Sequence, residues 1–348
     1  MKNLIYKTAL FVVPFLILYL ITLNYASPDR GDLSKLGYLT NSDYDFRILF
    51  KKEYQQSNNV NYISEINLDT INNFDFLVVG DSFSDQGCIA YQNYLTNLSG
   101  NKILYYDRFL HNNPLETVHG LLNGDLFNKI KLKYIIIQSV ERKFAERGKN
   151  VNKKVSILIK SIKEKIRKSK IIEIKQTEEK EFFTKAIFRF PLYNLNYNFD
   201  DNAFFSPVYK VETKTKLFTN INKELLFTEI DLIALKDNNS KVAVNTLNNE
   251  LNDIANRLKT KEISLIVLPC PDKFDFYYDH ILEKKKYTRP LFFNFLQDLP
   301  KDYLYVNSKK CLTEKSKNHK DLYFYDDTHW SPKSAKFIAS EINALIKK

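Results

Sequence analysis

The stretch Phe76-Leu77-Val78-Val79-Gly80-Asp81-Ser82-Phe83-Ser84 decides how this chain is read. Four consecutive apolar residues predict a short strand covered on both faces. The strand runs into a tight turn that presents Ser82. Near the C-terminus, Asp326-Asp327-Thr328-His329-Trp330 stands directly before Ser331-Pro332, a cap residue followed by proline at a first helical position. A serine hydroxyl is a poor nucleophile until a histidine takes its proton, and the histidine needs a carboxylate to fix its tautomer. All three residue types occur in loop settings where an α/β fold exposes reactive groups. They predict serine-based acyl transfer.

Outward from Ser82, strand and helix signals alternate. Lys102–Tyr106, Tyr134–Ile137, Ile263–Leu268 and Tyr303–Val306 read as further strands. Helices are predicted through Leu98 (capped by Ser84 or Asp85), through Leu115–Phe127, Val242–Leu258 and Pro290–Leu299, and from Ser331 onward with Ala335, Ile338, Ile342 and Leu345 on one apolar face. The alternation argues for a three-layer α/β fold with a parallel sheet, whose sites lie at the strand C-termini. Residues 150–237 break the rhythm and read as an inserted cap over that edge. Residues 27–72 read as a stalk and lead-in, which leaves 73–348 as the main domain.

Residues 1–26 read as a transmembrane helix acting as a signal anchor. An apolar run from Leu4 to Leu23 is long enough to cross a bilayer if Lys7 snorkels. Lys2 and Lys7 precede it, whereas Asp29, Arg30 and Asp32 follow with no positive excess, which places the remaining chain outside the cytoplasm. A cleaved signal peptide is the competing reading, although Asn24-Tyr25-Ala26 is a poor cleavage site; a buried core helix is the third.

Composition narrows the class. The chain has 348 residues, eight glycines with none after Gly148, and no glycine-rich phosphate loop of either common type. The net charge of +11 owes much to Lys153–Lys170, where Val155, Leu158, Ile159, Ile162 and Ile166 recur among lysines. A stripe packed on its own domain and a basic surface helix both fit that pattern. No nucleic-acid module accompanies the charge, so nucleic acid is not an expected partner. Cys88, Cys270 and Cys311 are too few and scattered for a disulfide scaffold or a zinc cluster.

The candidate catalytic residues are Ser82, His329, Asp327 and Asp326. Gly-Asp-Ser is also an ordinary turn sequence, and its weight comes from the strand before it. Either aspartate can orient His329, and the spare one can cap the Ser331 helix. A metal site built on Asp326, Asp327 and His329 lacks a second histidine donor, so no metal or cofactor is expected. His111, His119, His280 and His319 have no motif around them.

These two blocks resemble the first and last blocks of SGNH/GDSL hydrolases. The tail from Tyr323 to Ile342 resembles more specifically the DxHW cassette of the AlgX/AlgJ group of extracytoplasmic polysaccharide O-acetyltransferases. Ile137 to Arg142 is similar to the third SGNH block, and Leu268 to Tyr278 to a proline–lysine–tyrosine segment of that group. The cassette here follows the serine, as in ordinary SGNH enzymes, whereas in the AlgX/AlgJ arrangement it precedes it. The general SGNH pattern favours Asp326, and the DxHW spacing favours Asp327. The resemblance implies an oxyanion hole, for which the Ser82 backbone with Asn112, Asn113 or Gln138 are positional candidates. It also implies substrate-binding roles for Trp330, Arg142 and Lys273, a polysaccharide substrate, and a membrane acyl-donor partner. The expected function is a membrane-anchored O-acetyltransferase or acetylesterase with a Ser-His-Asp triad; the alternative is a non-catalytic SGNH-like glycan-binding or assembly subunit.

Overall fold

The structure is a computed structural model that describes residues 2–25, 31–39, 44–175 and 185–347. Ala26, Asp29 and Arg30, which enter the cleavage-site and orientation arguments, lie outside the described residues.

The strands are β1 (Asn61–Tyr62), β2 (Asn72–Asn73), β3 (Phe76–Val79), β4 (Ile103–Tyr106), β5 (Ile130–Lys131), β6 (Tyr134–Val140), β7 (Val208–Glu212), β8 (Glu224–Thr228), β9 (Ser264–Cys270) and β10 (Leu304–Tyr305). Six of them form a sheet in the order β1-β4-β3-β6-β9-β10, and every pairing within it is parallel. Because side chains alternate across a strand, each central strand feeds two cores. Phe76, Val78, Ile136 and Ile266 face one layer with helices Tyr91–Ser99 and Pro332–Ile346. Leu77, Val79, Ile135, Ile137 and Val267 face the other, with helices Pro114–Asn123, Glu141–Lys149 and Lys241–Lys259. Burial on both faces explains the continuous apolar runs.

The structure departs from the sequence reading in four places. The expected stalk is part of the domain: β1 forms the sheet edge, and helix Tyr44–Tyr54 buries Phe50 against Phe324. Neither Ser84 nor Asp85 caps the next helix, which starts at Tyr91 after a 3-10 turn over Gly87–Ile89. Ser331 sits at a helix N-cap position, but its side chain makes no cap hydrogen bond. The insertion carries regular elements where described, with helices Ile159–Lys175, Lys185–Asn196 and Glu229–Asn238 and the antiparallel hairpin β7–β8. Its lysine-rich helix buries Ile162 and packs Ile166 on the domain's second core, so the apolar stripe is used internally.

Helix Lys2–Tyr25 is long and apolar enough to cross a membrane. At 1.5 Å per residue it measures about 36 Å, against roughly 30 Å of bilayer hydrocarbon.

Candidate active site

The serine turn is held from beneath. Gly80 is required by close approach, since a Cβ there would collide with Ser84 Oγ and Gln138 Oε1. Gln138, at the end of β6, accepts from the Asp81 N–H at 2.9 Å and from Ser84 Oγ at 2.8 Å, and its own amide donates to Asp81 Oδ1 at 2.8 Å. Asp81 Oδ2 accepts from the Val140 N–H at 2.8 Å and from Arg147 at 2.7 Å. Burial would raise the Asp81 carboxyl, but Arg147 and these donors hold it below the ordinary carboxylate value. The aspartate of Gly-Asp-Ser is thus a charged peg that fixes the turn to β6 and to helix Glu141–Lys149. Ser82 itself is free: its N–H and Oγ make no hydrogen bond among the described residues.

The histidine loop is closed by a bridge between Tyr323 and Trp330 and by the Phe324 N–H donating to the His329 carbonyl at 3.2 Å. Asp327 Oδ1 lies 2.6 Å from His329 Nδ1 and also accepts the His329 N–H at 3.0 Å. Nε2, the opposite ring nitrogen, is buried with no hydrogen-bond partner among the described residues. The ring packs on Phe83, the residue after the serine, at 4.9 Å between centroids. Ser82, Asp327 and His329 together line one cavity of about 320 Å³, with Lys51 and Arg108 among the other residues of its wall.

The second aspartate has a different task. Asp326 is buried; its Oδ2 accepts the Gly31 N–H at 2.7 Å, and its carbonyl accepts from the Leu33 and Ser34 N–H groups at 3.1 and 3.3 Å. A Cβ at Gly31 would collide with the Asp326 carbonyl. The lead-in returns the contact, because Asp32 accepts from the Thr328 N–H at 2.8 Å and from Thr328 Oγ1 at 2.5 Å. Burial, and then repulsion from Asp327, push the Asp32 carboxyl above its ordinary value. Asp32, Asp327 and His329 hold oxygen and nitrogen atoms within 4.8 Å of one another, the one group near the site that could offer ligands to a cation among the described residues. Asp32 and Asp327 are already engaged by Thr328 and His329. The sequence gives no sign of Asp32, which meets the loop across 296 residues.

The other named residues do not line this cavity. Trp330 is fully buried, edge-on to Phe83 and Tyr91, and exchanges hydrogen bonds with Gln86, so it locks the histidine loop to the serine turn. Lys273 is also fully buried. Its Nζ donates to the carbonyls of Phe324, Tyr325 and Asp327 at 2.7, 2.5 and 3.2 Å, beneath the faces of Phe218 and Tyr325.

Arg142 lies between Asp272 at 2.8 Å and Asp231 at 3.3 Å, inside the domain. One guanidinium cannot neutralise both buried carboxylates, so burial raises Asp272 well above the ordinary range and brings Asp231 up to about 6.

None of the side-chain oxyanion candidates lines the Ser82 cavity. Asn113 caps helix Pro114–Asn123 through the Leu115 N–H and donates to the Arg147 carbonyl, Asn112 is exposed, and the Gln138 amide is consumed under the turn. The Asn113-Pro114 pair is itself a helix-start signal that would have identified the cap. Arg108, which sequence reasoning passed over, follows β4 and brings a cation to the cavity.

Residues 224–348 match the family described as the SGNH hydrolase-like domain of acetyltransferase AlgX. That span is a little over a third of the chain; it contains the hairpin strand β8, Lys273 and the histidine loop, and it stops short of Ser82. The chain therefore resembles the SGNH/AlgX type, in a mixed α/β fold with a central parallel sheet. Among curated proteins and among solved structures nothing matches it.

Proposed function

We propose that this protein is a membrane-anchored, extracytoplasmic acyl-transfer enzyme that moves acetyl groups on a cell-surface or secreted polysaccharide. The carrying observation is the 2.6 Å Asp327–His329 contact, with His329 and Ser82 on one cavity and neither Nε2 nor the Ser82 hydroxyl hydrogen-bonded among the described residues. In this reading His329 Nε2 takes the proton of Ser82 Oγ as that oxygen attacks the acetyl carbonyl. Asp327 stabilises the imidazolium that forms, and the nearby Asp32 carboxyl adds to the same field when ionised. The Ser82 N–H faces the developing oxyanion, and Arg108 supplies positive charge at the cavity wall. Collapse expels the donor oxygen, which leaves with the proton held by His329. The remaining serine ester is then attacked by a sugar hydroxyl or by water, with the proton passing to His329 and back to Ser82 as the ester breaks. A membrane acyl-donor partner fits the anchored location.

Helix Lys2–Tyr25 supports the anchor reading, and Lys2 and Lys7 on its N-terminal side support an extracytoplasmic domain. The absence of an asparagine side chain from the cavity wall favours a second reading, a glycan-binding or assembly subunit without turnover. The full chain in detergent, given p-nitrophenyl acetate and a neutral oligosaccharide, distinguishes the two. Acetylated oligosaccharide in the product spectrum establishes transfer, and free acetate alone establishes an esterase. Binding of the sugar with neither product establishes the subunit.

A further inference from the structure

We infer that the part of the insertion around helix Lys185–Asn196 and the following loop through Phe205 is a second membrane contact, a lipid-docking surface that lays the domain on the bilayer. The inference rests on the reading of helix Lys2–Tyr25 as an anchor. Helix Lys2–Tyr25 packs along helix Lys185–Asn196, and among residues 2–21 Tyr19 alone is buried. Tyr19 lies six residues before the end of its helix, about 9 Å along the axis. That is the depth at which interfacial helices sit, roughly 5–10 Å into the headgroup boundary. Whatever packs beside Tyr19 is therefore carried to the outer face of the same membrane.

The surface found there is one that water disfavours. Leu192 and Leu195 are 58% and 61% exposed, and Phe199 and Phe205 are 83% and 94% exposed. Phe204, half exposed, and Phe205 both have left-handed backbones, at φ 49° and 56°. Left-handed backbone is unfavourable for a phenylalanine; here the Phe204 ring packs on Tyr193 at 5.3 Å between centroids while Phe205 is left almost fully exposed. Exposed apolar clusters of this kind mark contact with a membrane or a protein. Packing on the anchor helix selects the lipid. Of the two acids in the loop, Asp201 accepts from Tyr287 Oη at 2.7 Å, and Asp200 is exposed and accepts the Asn202 N–H at 3.2 Å. This geometry commits the insertion to lying against the bilayer, with acyl donors and acceptors reaching the domain along the membrane surface.

Trp330 is the sole tryptophan and fully buried, which provides a constant background for a fluorescence test on the full chain. Single variants Phe205→Trp, Leu195→Trp, Phe15→Trp and Ile71→Trp are placed in phosphatidylcholine–phosphatidylglycerol nanodiscs with or without brominated acyl chains. Ile71 is exposed beside β2, near the N-terminal edge of the sheet, and serves as the distant control. Emission of Phe205→Trp, Leu195→Trp and Phe15→Trp is expected to fall in the brominated discs, while Ile71→Trp keeps its emission. If Phe15→Trp alone is quenched by lipid, and acrylamide reaches the two insertion variants, the docking surface is refuted and the anchor stands. Insertion variants shielded from acrylamide yet untouched by brominated lipid would assign the patch to a protein surface and overturn the proposal. An unquenched Phe15→Trp would remove the anchor and the docking surface together.

Discussion

Ser82→Ala is expected to abolish acetyl-ester turnover while leaving the fold intact. The side chain makes no hydrogen bond among the described residues, so its loss changes stability by no more than about 0.5 kcal/mol, the ordinary range for a site without structural contacts. Turnover should nevertheless fall roughly 10⁴-fold or more, because the nucleophile and its base act as one unit. His329→Ala should cost as much, and the double variant little more than either one alone. Rates of p-nitrophenyl acetate cleavage by the full chain, read beside its thermal unfolding, check both halves of the expectation. A modest drop in rate together with a lowered melting temperature would mean that Ser82 is a turn residue only.

Lys273→Met is expected to be the most damaging substitution for stability near the site. The ammonium is enclosed by three carbonyls of the histidine loop and two aromatic faces. Methionine has a similar length and no donor, so it leaves those oxygens short of a partner in a dry interior. Loss of a buried charged donor costs about 3–5 kcal/mol. For a chain of this size that is a fall of roughly 10 °C in melting temperature. The loop it releases carries Asp327 and His329, and a displacement of about 1 Å at reacting groups can cost 10²-fold in rate. Lys273→Arg should not rescue either property, since a planar guanidinium cannot occupy the site of a compact ammonium. Unfolding by differential scanning fluorimetry and ester turnover measured on the same samples test both effects. A Lys273→Met protein with unchanged melting and turnover would show that the loop holds itself.

What could be read from the sequence follows from where the information sits along the chain. Strands β3, β6 and β9 are legible because burial on both faces writes itself as an apolar run, and the placement of Ser82 after a strand and of His329 before a helix because those elements are well signed. The sequence does not separate Asp327 from Asp326, since adjacent residues differ in direction and not in type. The structure gives one to the imidazole and the other to the Gly31 amide. The resemblance implies substrate contacts for Lys273 and Trp330, and burial is not legible from residue type alone. Both are internal braces. Asp32 was invisible for another reason: a polar lead-in carries no periodic signal, and its value arises only when residues 31–36 close on Thr328. The insertion read as irregular because its exposed phenylalanines and leucines do not follow the period of a helix packed on a core.

The central claim is that Ser82 is a nucleophile activated by His329, and active-site labelling tests it most directly. The full chain is treated with a fluorophosphonate, digested, and mapped by peptide mass spectrometry, alongside its His329→Ala form. A single phosphonylated site at Ser82, lost when His329 is replaced, is the result this account predicts. No adduct at Ser82, or one formed equally without His329, would contradict it.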